Sequence, residues 1–179
     1  MKARFDYRCG LALGSQALAV AGLLTSCSTT PVQVQAVGPK PPVIHYAGGT
    51  GSLVVYSDTE ARHLDKGLPY YVHTSYFIKT QAGVPLRWVP NHLGDMDQTP
   101  QVVSLPAGTY QIVADSSDYG RVDVPVVIES GRTTEVHLDG TGYRKPGVSE
   151  ANGRDWVCLP DGEPVGWRAY AGNQANPGQ

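Results

Sequence analysis

The segment VDVPVVIE, residues 122–129, most constrains the fold, because its apolar residues recur at every second position. One set is Val122, Val124, Val126 and Ile128, and the other is Asp123, Pro125, Val127 and Glu129. A period of two is typical of a β-strand with one buried face. Pro125 has no amide proton to give to a neighbouring strand, so we expect a sheet edge or a bulge there.

The same alternation occurs in PYYVHTSYFIK, residues 69–79. One face carries Tyr70, Val72, Thr74, Tyr76 and Ile78, and the other carries Tyr71, His73, Ser75, Phe77 and Lys79. We therefore predict one strand across this segment, with the first set mostly buried.

Five more short segments have the composition of strands, and turn sequences separate them. The predicted strands are Ser52–Tyr56, Leu86–Val89, Gln101–Leu105, Thr109–Ala114 and Thr133–Leu138. The turns are Ala82-Gly83, Pro106-Ala107-Gly108, Tyr119-Gly120 and Ser130-Gly131. About seven short strands arranged in this way predict an all-β domain, an antiparallel β-sandwich over residues 51–140.

The amino-terminal residues have the features of a signal peptide. Lys2, Arg4 and Arg8 precede an apolar stretch from Leu11 to Leu24, which is too short to span a bilayer as a stable helix. Residues 1–26 are therefore predicted to be removed.

The stretch Leu24-Thr25-Ser26-Cys27 resembles the lipobox of bacterial lipoproteins. That resemblance implies that the Cys27 thiol receives a diacylglyceryl group, that cleavage occurs just before it, and that the new amine is acylated, typically with palmitate. Ser28, with no aspartate after the cysteine, implies the outer membrane as the destination. The alternative is an ordinary cleaved signal peptide in which Cys27 has no special role.

Loss of residues 1–26 would remove three basic residues and one acidic residue, so the formal charge would change from -2 to -4. No basic patch suited to nucleic acid is left. Cys9 would leave with the signal peptide and Cys27 would carry lipid, so Cys158 would have no partner for an internal disulfide. The fold must then depend on its hydrophobic core.

Residues 27–50 are rich in Pro, Gly and Thr. Because proline extends the backbone and opposes helix formation, we interpret this segment as a lipidated, semi-rigid linker, in which Val43–Tyr46 could form an edge strand.

The stretches SLPAGTYQIVA and VDVPVVIESGRTTEVHLDG resemble the later half of carboxypeptidase-regulatory-like and PEGA-like domains. The matching positions are Leu105, Pro106, Gly108, Tyr110, Gly131 and Thr134. The resemblance implies a transthyretin-type (prealbumin-like) sandwich that serves as a spacing or recognition module. We expect a positive φ at Gly108 and an inward-facing ring at Tyr110.

Residues that could form a catalytic site occur, but not in a recognisable arrangement. They are His63, His73, His92, His137, Ser75, Asp95 and Asp97. None lies in a nucleophile elbow, and His73 and His137 are predicted to be solvated. Transthyretin-related hydrolases end in Tyr-Arg-Gly-Ser, whereas this chain ends in GNQANPGQ. We therefore predict no enzyme.

No metal site or cofactor is predicted either. Asp95 and Asp97 have the spacing of calcium ligands, but the closing glutamate of an EF-hand loop is absent.

Several aromatic residues could form a platform for sugar rings. They are Tyr70, Tyr71, Tyr76, Phe77 and Trp88. In a half-buried sheet such residues are more often part of the core, so carbohydrate binding ranks second among the functions considered.

The carboxy-terminal extension, residues 141–179, contains a predicted hairpin over residues 155–169 with an Asp161-Gly162 turn. Trp156 and Trp167 either pack on the sandwich as a cap or form a docking surface for a partner. In the capping alternative, Trp156 and Cys158 face inward, and Val157 and Leu159 lie on the opposite face.

The sequence thus predicts a membrane-anchored, non-enzymatic lipoprotein that acts as a binding, adaptor or structural module in the cell envelope. Its expected partners are the membrane and an envelope protein or polysaccharide. The alternative function is a cell-surface carbohydrate-binding module, and a hydrolase comes third.

Overall fold

The computed structural model describes residues 31–40, 48–63, 67–140 and 155–169, and the regular secondary structure within these ranges consists of β-strands. The strands are β1 (Val32–Gln33), β2 (Val37–Gly38), β3 (Thr50–Tyr56), β4 (Thr59–Arg62), β5 (Tyr70–His73), β6 (Tyr76–Thr80), β7 (Pro85–Val89), β8 (Val103–Pro106), β9 (Gly108–Ser116), β10 (Gly120–Ile128), β11 (Thr133–His137), β12 (Trp156–Cys158) and β13 (Pro164–Arg168). The all-β prediction is confirmed, as are the five short strands predicted separately.

The largest sheet contains eight strands in the order β12-β13-β2-β10-β9-β6-β7, with β1 also paired to β10. β9 and β10 form a long antiparallel hairpin whose register joins Gly120 to Ser116 and Ile128 to Gly108. β1 and β2 run parallel to β10. The sheet is therefore mixed, and the prediction of a wholly antiparallel arrangement is wrong.

The alternation in β10 is confirmed. Val122, Val124, Val126 and Ile128 are each at most 2% exposed. The edge predicted from Pro125 is wrong, however, because β10 lies between β9 on one side and β1 and β2 on the other.

The interruption between β1 and β2 accommodates Pro125. The amide of Val34 donates to the carbonyl of Asp123 at 3.4 Å, so the backbone polar groups of Asp123 point toward the β1 side. Strand geometry repeats every two residues, so the nitrogen of Pro125 points to the same side. β1 has ended and β2 has not yet begun opposite this position. The amide proton that proline lacks therefore removes no hydrogen bond between paired strands.

A three-stranded sheet, in the order β11-β3-β8, supplies the other part of the core. β3 is parallel to β11 and antiparallel to β8. Buried side chains from the two sheets form one cluster, which includes Leu53, Val55, Val103 and Val136 from the smaller sheet and Ile78, Ile112 and Val124 from the larger. Burial of this aliphatic surface, at about 25 cal/mol per Å², is the main favourable term for the fold.

Residues 70–79 form two strands, not the single strand predicted. β5 pairs with β4 in a separate two-stranded sheet, whereas β6 pairs with β7 and β9. In the break, the amide of Thr74 donates to the carbonyl of Asp58 at 2.8 Å. Val72, Tyr76 and Ile78 are buried as predicted.

The segment interpreted as a linker contributes β1 and β2 to the larger sheet. Val37 pairs with Val126 of β10 and is fully buried. The apolar residues of this segment are too few to show a strand period, which is why its sequence resembled a tether. The edge strand suggested at Val43–Tyr46 lies outside the described residues.

The predicted carboxy-terminal hairpin is confirmed as β12 and β13, which form the end of the larger sheet. β13 pairs with β2, joining Trp167 to Gly38 and Arg168 to Val37. The hairpin adds Val157, Leu159 and Val165 to the core. It therefore packs on the domain, as the capping alternative requires.

The faces predicted for β12 are reversed. Val157 and Leu159 are buried, whereas Cys158 is exposed. Trp156 does not bring the thiol inward with it, because its ring packs against Trp167 with the ring centroids 4.3 Å apart. The two indole rings pack against each other. Val157 and Leu159 take the core positions.

Gly166 lies where β13 approaches two other segments. A Cβ atom at this position would be 2.6 Å from the carbonyl oxygen of Glu135 in β11 and 2.6 Å from Cγ1 of Val37 in β2. Only glycine leaves room for this contact, so Gly166 permits the hairpin to pack against both β11 and β2.

Replacing Gly166 with alanine should lower the free energy of unfolding by roughly 1–3 kcal/mol, because the added methyl group overpacks this contact. Denaturant or thermal unfolding measures the change. Gly94→Ala is the matched control, since a Cβ atom there meets nothing within 4 Å. Equal stabilities of the two variants would contradict the packing of the hairpin described here.

Candidate functional site

The predicted lipidation site, Cys27, lies outside the described residues, and the described chain begins at Pro31. Among the described ranges, no helix is long and apolar enough to cross a bilayer. The lipid anchor therefore stays a prediction from the sequence.

The five aromatic residues proposed as a sugar platform are separated by the fold. Tyr76 is buried in the core, and burial raises the pKa of its hydroxyl well above the ordinary value. Tyr70 and Tyr71 belong to β5, outside the larger sheet. Phe77 and Trp88 are brought together, because they are direct partners across β6 and β7.

Phe77 and Trp88, termed the aromatic pair, lie on the outer face of the larger sheet. Phe77 is 45% exposed and Trp88 is 54% exposed. Phe77 is also the partner of Val113, which in turn is the partner of Asp123. Directly opposite residues share a face, so an apolar strip runs inward from the edge strand and ends at a carboxylate.

The backbone of β7 is a poor template for an added strand. β7 lies at the edge of the sheet, begins with Pro85, and has a register shift opposite Ile78 and Lys79. Proline and bulges protect sheet edges against pairing with other chains. Recognition at this edge would therefore depend on the aromatic side chains.

A buried polar network, not predicted from the sequence, centres on Asn91. Asn91 is fully buried and has a φ of 65°. Its Nδ2 donates to the carbonyl of Val55 and to Oγ of Ser57, both at 2.9 Å. Ser57 Oγ in turn donates to the carbonyl of Thr74 at 2.7 Å. The network links β3 to the loop after β7 and to the break between β5 and β6.

His73 belongs to this network, so the prediction of a solvated side chain is wrong. It is 5% exposed, and its Nδ1 lies 2.8 Å from the carbonyl oxygen of Ser57. That contact makes Nδ1 the protonated nitrogen of the ring. Because the ring contacts the serine carbonyl, and the Ser57 hydroxyl proton goes to Thr74, the geometry is structural and does not activate a nucleophile.

His137 was also predicted to be solvated, but it packs against Tyr56. The two rings are stacked, with centroids 4.4 Å apart and planes inclined by 7°. Nε2 of His137 lies 3.8 Å from the carboxylate of Glu135. Burial raises the pKa of the Tyr56 hydroxyl.

The acidic pair considered for calcium has other contacts. Asp95 Oδ1 lies 3.2 Å from Nη1 of Arg62. Oδ1 of Asp97 accepts from the amide of Thr99 at 2.9 Å, and this hydrogen bond lowers the pKa of Asp97. Asp95 therefore joins the loop after β7 to β4, whereas Asp97 acts within that loop.

A second acidic group contains Asp118, Asp161 and Glu163. One carboxylate oxygen from each residue lies within 4.8 Å of the others. Partial burial, and then the charges of Asp161 and Asp118, raise the pKa of Glu163. Three carboxylates could hold a cation, although exposed acidic groups often occur without one. The group joins the β9–β10 and β12–β13 turns, whose proximity no local sequence pattern shows.

The residues that carry the family resemblance lie in turns and strand ends. The hydroxyl of Tyr110, which is partly buried, donates to the carbonyl of Pro106 at 2.9 Å. Oγ1 of Thr134 donates to the carbonyl of Val127 at 2.7 Å. Gly131 has a positive φ of 69°, but Gly108 does not, so the conformation expected at Gly108 is wrong.

No family model, curated protein or solved structure matches this chain.

Proposed function

We propose that this protein is a lipoprotein of the bacterial cell envelope, anchored through Cys27, whose β-domain is a non-enzymatic binding or adaptor module. The basic residues, the apolar stretch and the lipobox-like Leu24–Cys27 support the anchor. The outer membrane is the proposed location, on the basis of Ser28.

The aromatic pair is the observation that carries the binding function. Phe77 and Trp88 stay about half exposed although the sheet beneath them is packed. Exposed aromatic residues on a rigid sheet are typical of recognition surfaces, because they give a large contact area with little loss of conformational freedom. By contrast, His73, Ser57 and Asn91 are committed to internal hydrogen bonds.

The proposed fold is a transthyretin-type sandwich like those of carboxypeptidase-regulatory-like and PEGA-like domains. Its support is the Leu105–Gly108 segment, which passes from β8 in the smaller sheet to β9 in the larger, together with the Gly131 turn between β10 and β11. Domains of this type usually recognise or space other components, which agrees with a binding role.

A carbohydrate-binding module is the second candidate, and the aromatic pair also favours it. Aromatic faces on an exposed sheet can stack on sugar rings. The nearby polar groups include Asp123, which accepts a hydrogen bond from Gln111 Nε2 at 3.3 Å. A polysaccharide ligand and a protein ligand would use the same residues, so binding assays must separate them.

Replacing Cys27 with serine should abolish acyl labelling and release the protein from the membrane fraction, because the covalent lipid is the proposed anchor. Labelling with a palmitate analogue and fractionation after a high-salt wash measure both effects. Cys158→Ser is the control and should leave both unchanged. Retention of Cys27→Ser in the washed membranes would contradict the anchor.

Replacing Trp88 with alanine should weaken partner binding about tenfold, equivalent to about 1.4 kcal/mol. Binding is measured with isolated envelope polysaccharides and, separately, with envelope proteins by photo-crosslinking from position 77. The control is Val84→Ala, since Val84 is also exposed but lies in the turn between β6 and β7. Polysaccharide binding lost only in Trp88→Ala would favour the carbohydrate module. If Trp88→Ala leaves all binding unchanged, the aromatic pair is not the site.

A further inference from the structure

The strand register shows which end of the domain faces the proposed anchor. One row crosses the larger sheet through Gln33, Asp123, Val113, Phe77 and Trp88, which are successive partners. β1 is parallel to β10, and the next three pairings are antiparallel. The chain before Gln33 and the chain after Trp88 therefore leave the sheet at the same end, termed the proximal end.

The β4–β5 hairpin also extends from the proximal end. The amide of Asp58, just before β4, donates to the carbonyl of Asp115 at 2.8 Å, and Asp115 is the partner of Arg121 near the start of β10. β4 and β5 pair only with each other among the described strands. The hairpin is thus attached to the rest of the domain at its base and adds no strand to either larger sheet.

The loop after β7 packs along this hairpin. Asp95 forms an ion pair with Arg62 at 3.2 Å, and the side chain of Gln98 accepts from the amide of Tyr71 at 3.2 Å. The hairpin and the loop therefore form one continuous surface at the proximal end.

This surface carries the two most exposed large hydrophobic side chains of the described residues. Leu68 is 86% exposed, Leu93 is 82% exposed, and Met96 is 57% exposed. These flexible aliphatic side chains lie on a hairpin and a loop, not on a flat sheet. Such an arrangement suits shallow insertion into a soft apolar phase better than stacking on a rigid ligand.

The short connection to Cys27 determines which apolar phase is near. Only five residue steps separate Cys27 from Val32, the first residue of β1. Even fully extended, five residues span at most about 18 Å. A lipid on Cys27 would therefore hold the proximal end close to the bilayer surface. The bilayer is then the nearest apolar phase, and little space is left there for a protein partner.

We propose that the proximal end docks on the lipid bilayer, with Leu68, Leu93 and Met96 inserted between the headgroups and the upper acyl chains. The inference rests on the proposed anchor at Cys27 and adds a second, non-covalent contact. Docking fixes the orientation of the domain, and the aromatic pair on the sheet face is then left for another ligand.

The test measures lipid contact at two positions of the full-length, acylated protein purified from membranes. An environment-sensitive fluorophore is attached to Leu93→Cys or to Val84→Cys, each with Cys158→Ser because that thiol is exposed. Val84 is the matched control, since it is exposed but lies in the β6–β7 turn at the opposite end of the sheet. The protein is reconstituted into zwitterionic phosphatidylcholine vesicles, with or without brominated lipid, so that surface charge does not drive contact.

Docking predicts a blue-shifted emission at position 93 that brominated lipid quenches, and unshifted, unquenched emission at position 84. Adding Leu68→Asp should reduce the quenching at position 93, whereas adding Leu86→Asp, a charge at an exposed site on β7, should not. Equal, unquenched signals at both positions would overturn the docking proposal while leaving the anchor intact. A shift at position 93 without quenching would indicate a protein contact and would also overturn it. Purified protein that carries no acyl group would refute the proposed anchor, and the docking proposal with it.

Discussion

The pairing of β2 with β10 is the interaction on which the larger sheet depends. Val37, fully buried, is the partner of Val126 in β10, and β2 in turn pairs with β13. Three separate segments, residues 31–40, 108–128 and 155–169, are joined by this contact. Without β2, the carboxy-terminal hairpin would lose its pairing with the sheet, and the core would lose Val37.

This arrangement also explains the tolerated proline and the required glycine. Pro125 lies opposite the gap between β1 and β2, so β10 can be central and still contain a residue without an amide proton. Gly166 lets β13 approach both β2 and β11 closely. Proline would be unfavourable opposite a continuous strand, and glycine would be unfavourable in a less crowded part of a sheet. Here each residue matches its local geometry.

The sequence predicted the strands that have a clear period, because burial on one face imposes alternation. β10 is the example. β9 and β3 were predicted from their composition and from the turn sequences around them, and the Asp161-Gly162 turn located the hairpin. It did not predict β1 and β2, since two-residue strands are too short for a period to appear. The faces of β12 were reversed because alternation fixes which residues share a face but not which face is buried.

The candidate surfaces were only partly predictable. Phe77 and Trp88 were recognised as possible sugar-binding residues, but their pairing depends on the β6–β7 register. The Asn91 network and the acidic group at Asp118 join residues that are distant in the sequence. No single-sequence pattern carries such long-range contacts, and the same holds for the proximal end, where the anchor and the exposed leucines meet only through the topology of the sheet.

Amide hydrogen exchange of the full-length protein tests the central role of β2 most directly. The amide of Ala169 donates to the carbonyl of Ala36 at 2.8 Å, which joins the end of β13 to the segment before β2. If the amino-terminal segment and the hairpin are parts of one sheet, the amides of Ala169 and Val37 should be protected nearly as well as those in β10. Exchange at the rate of an unstructured peptide at both amides, with β10 still protected, would contradict this architecture.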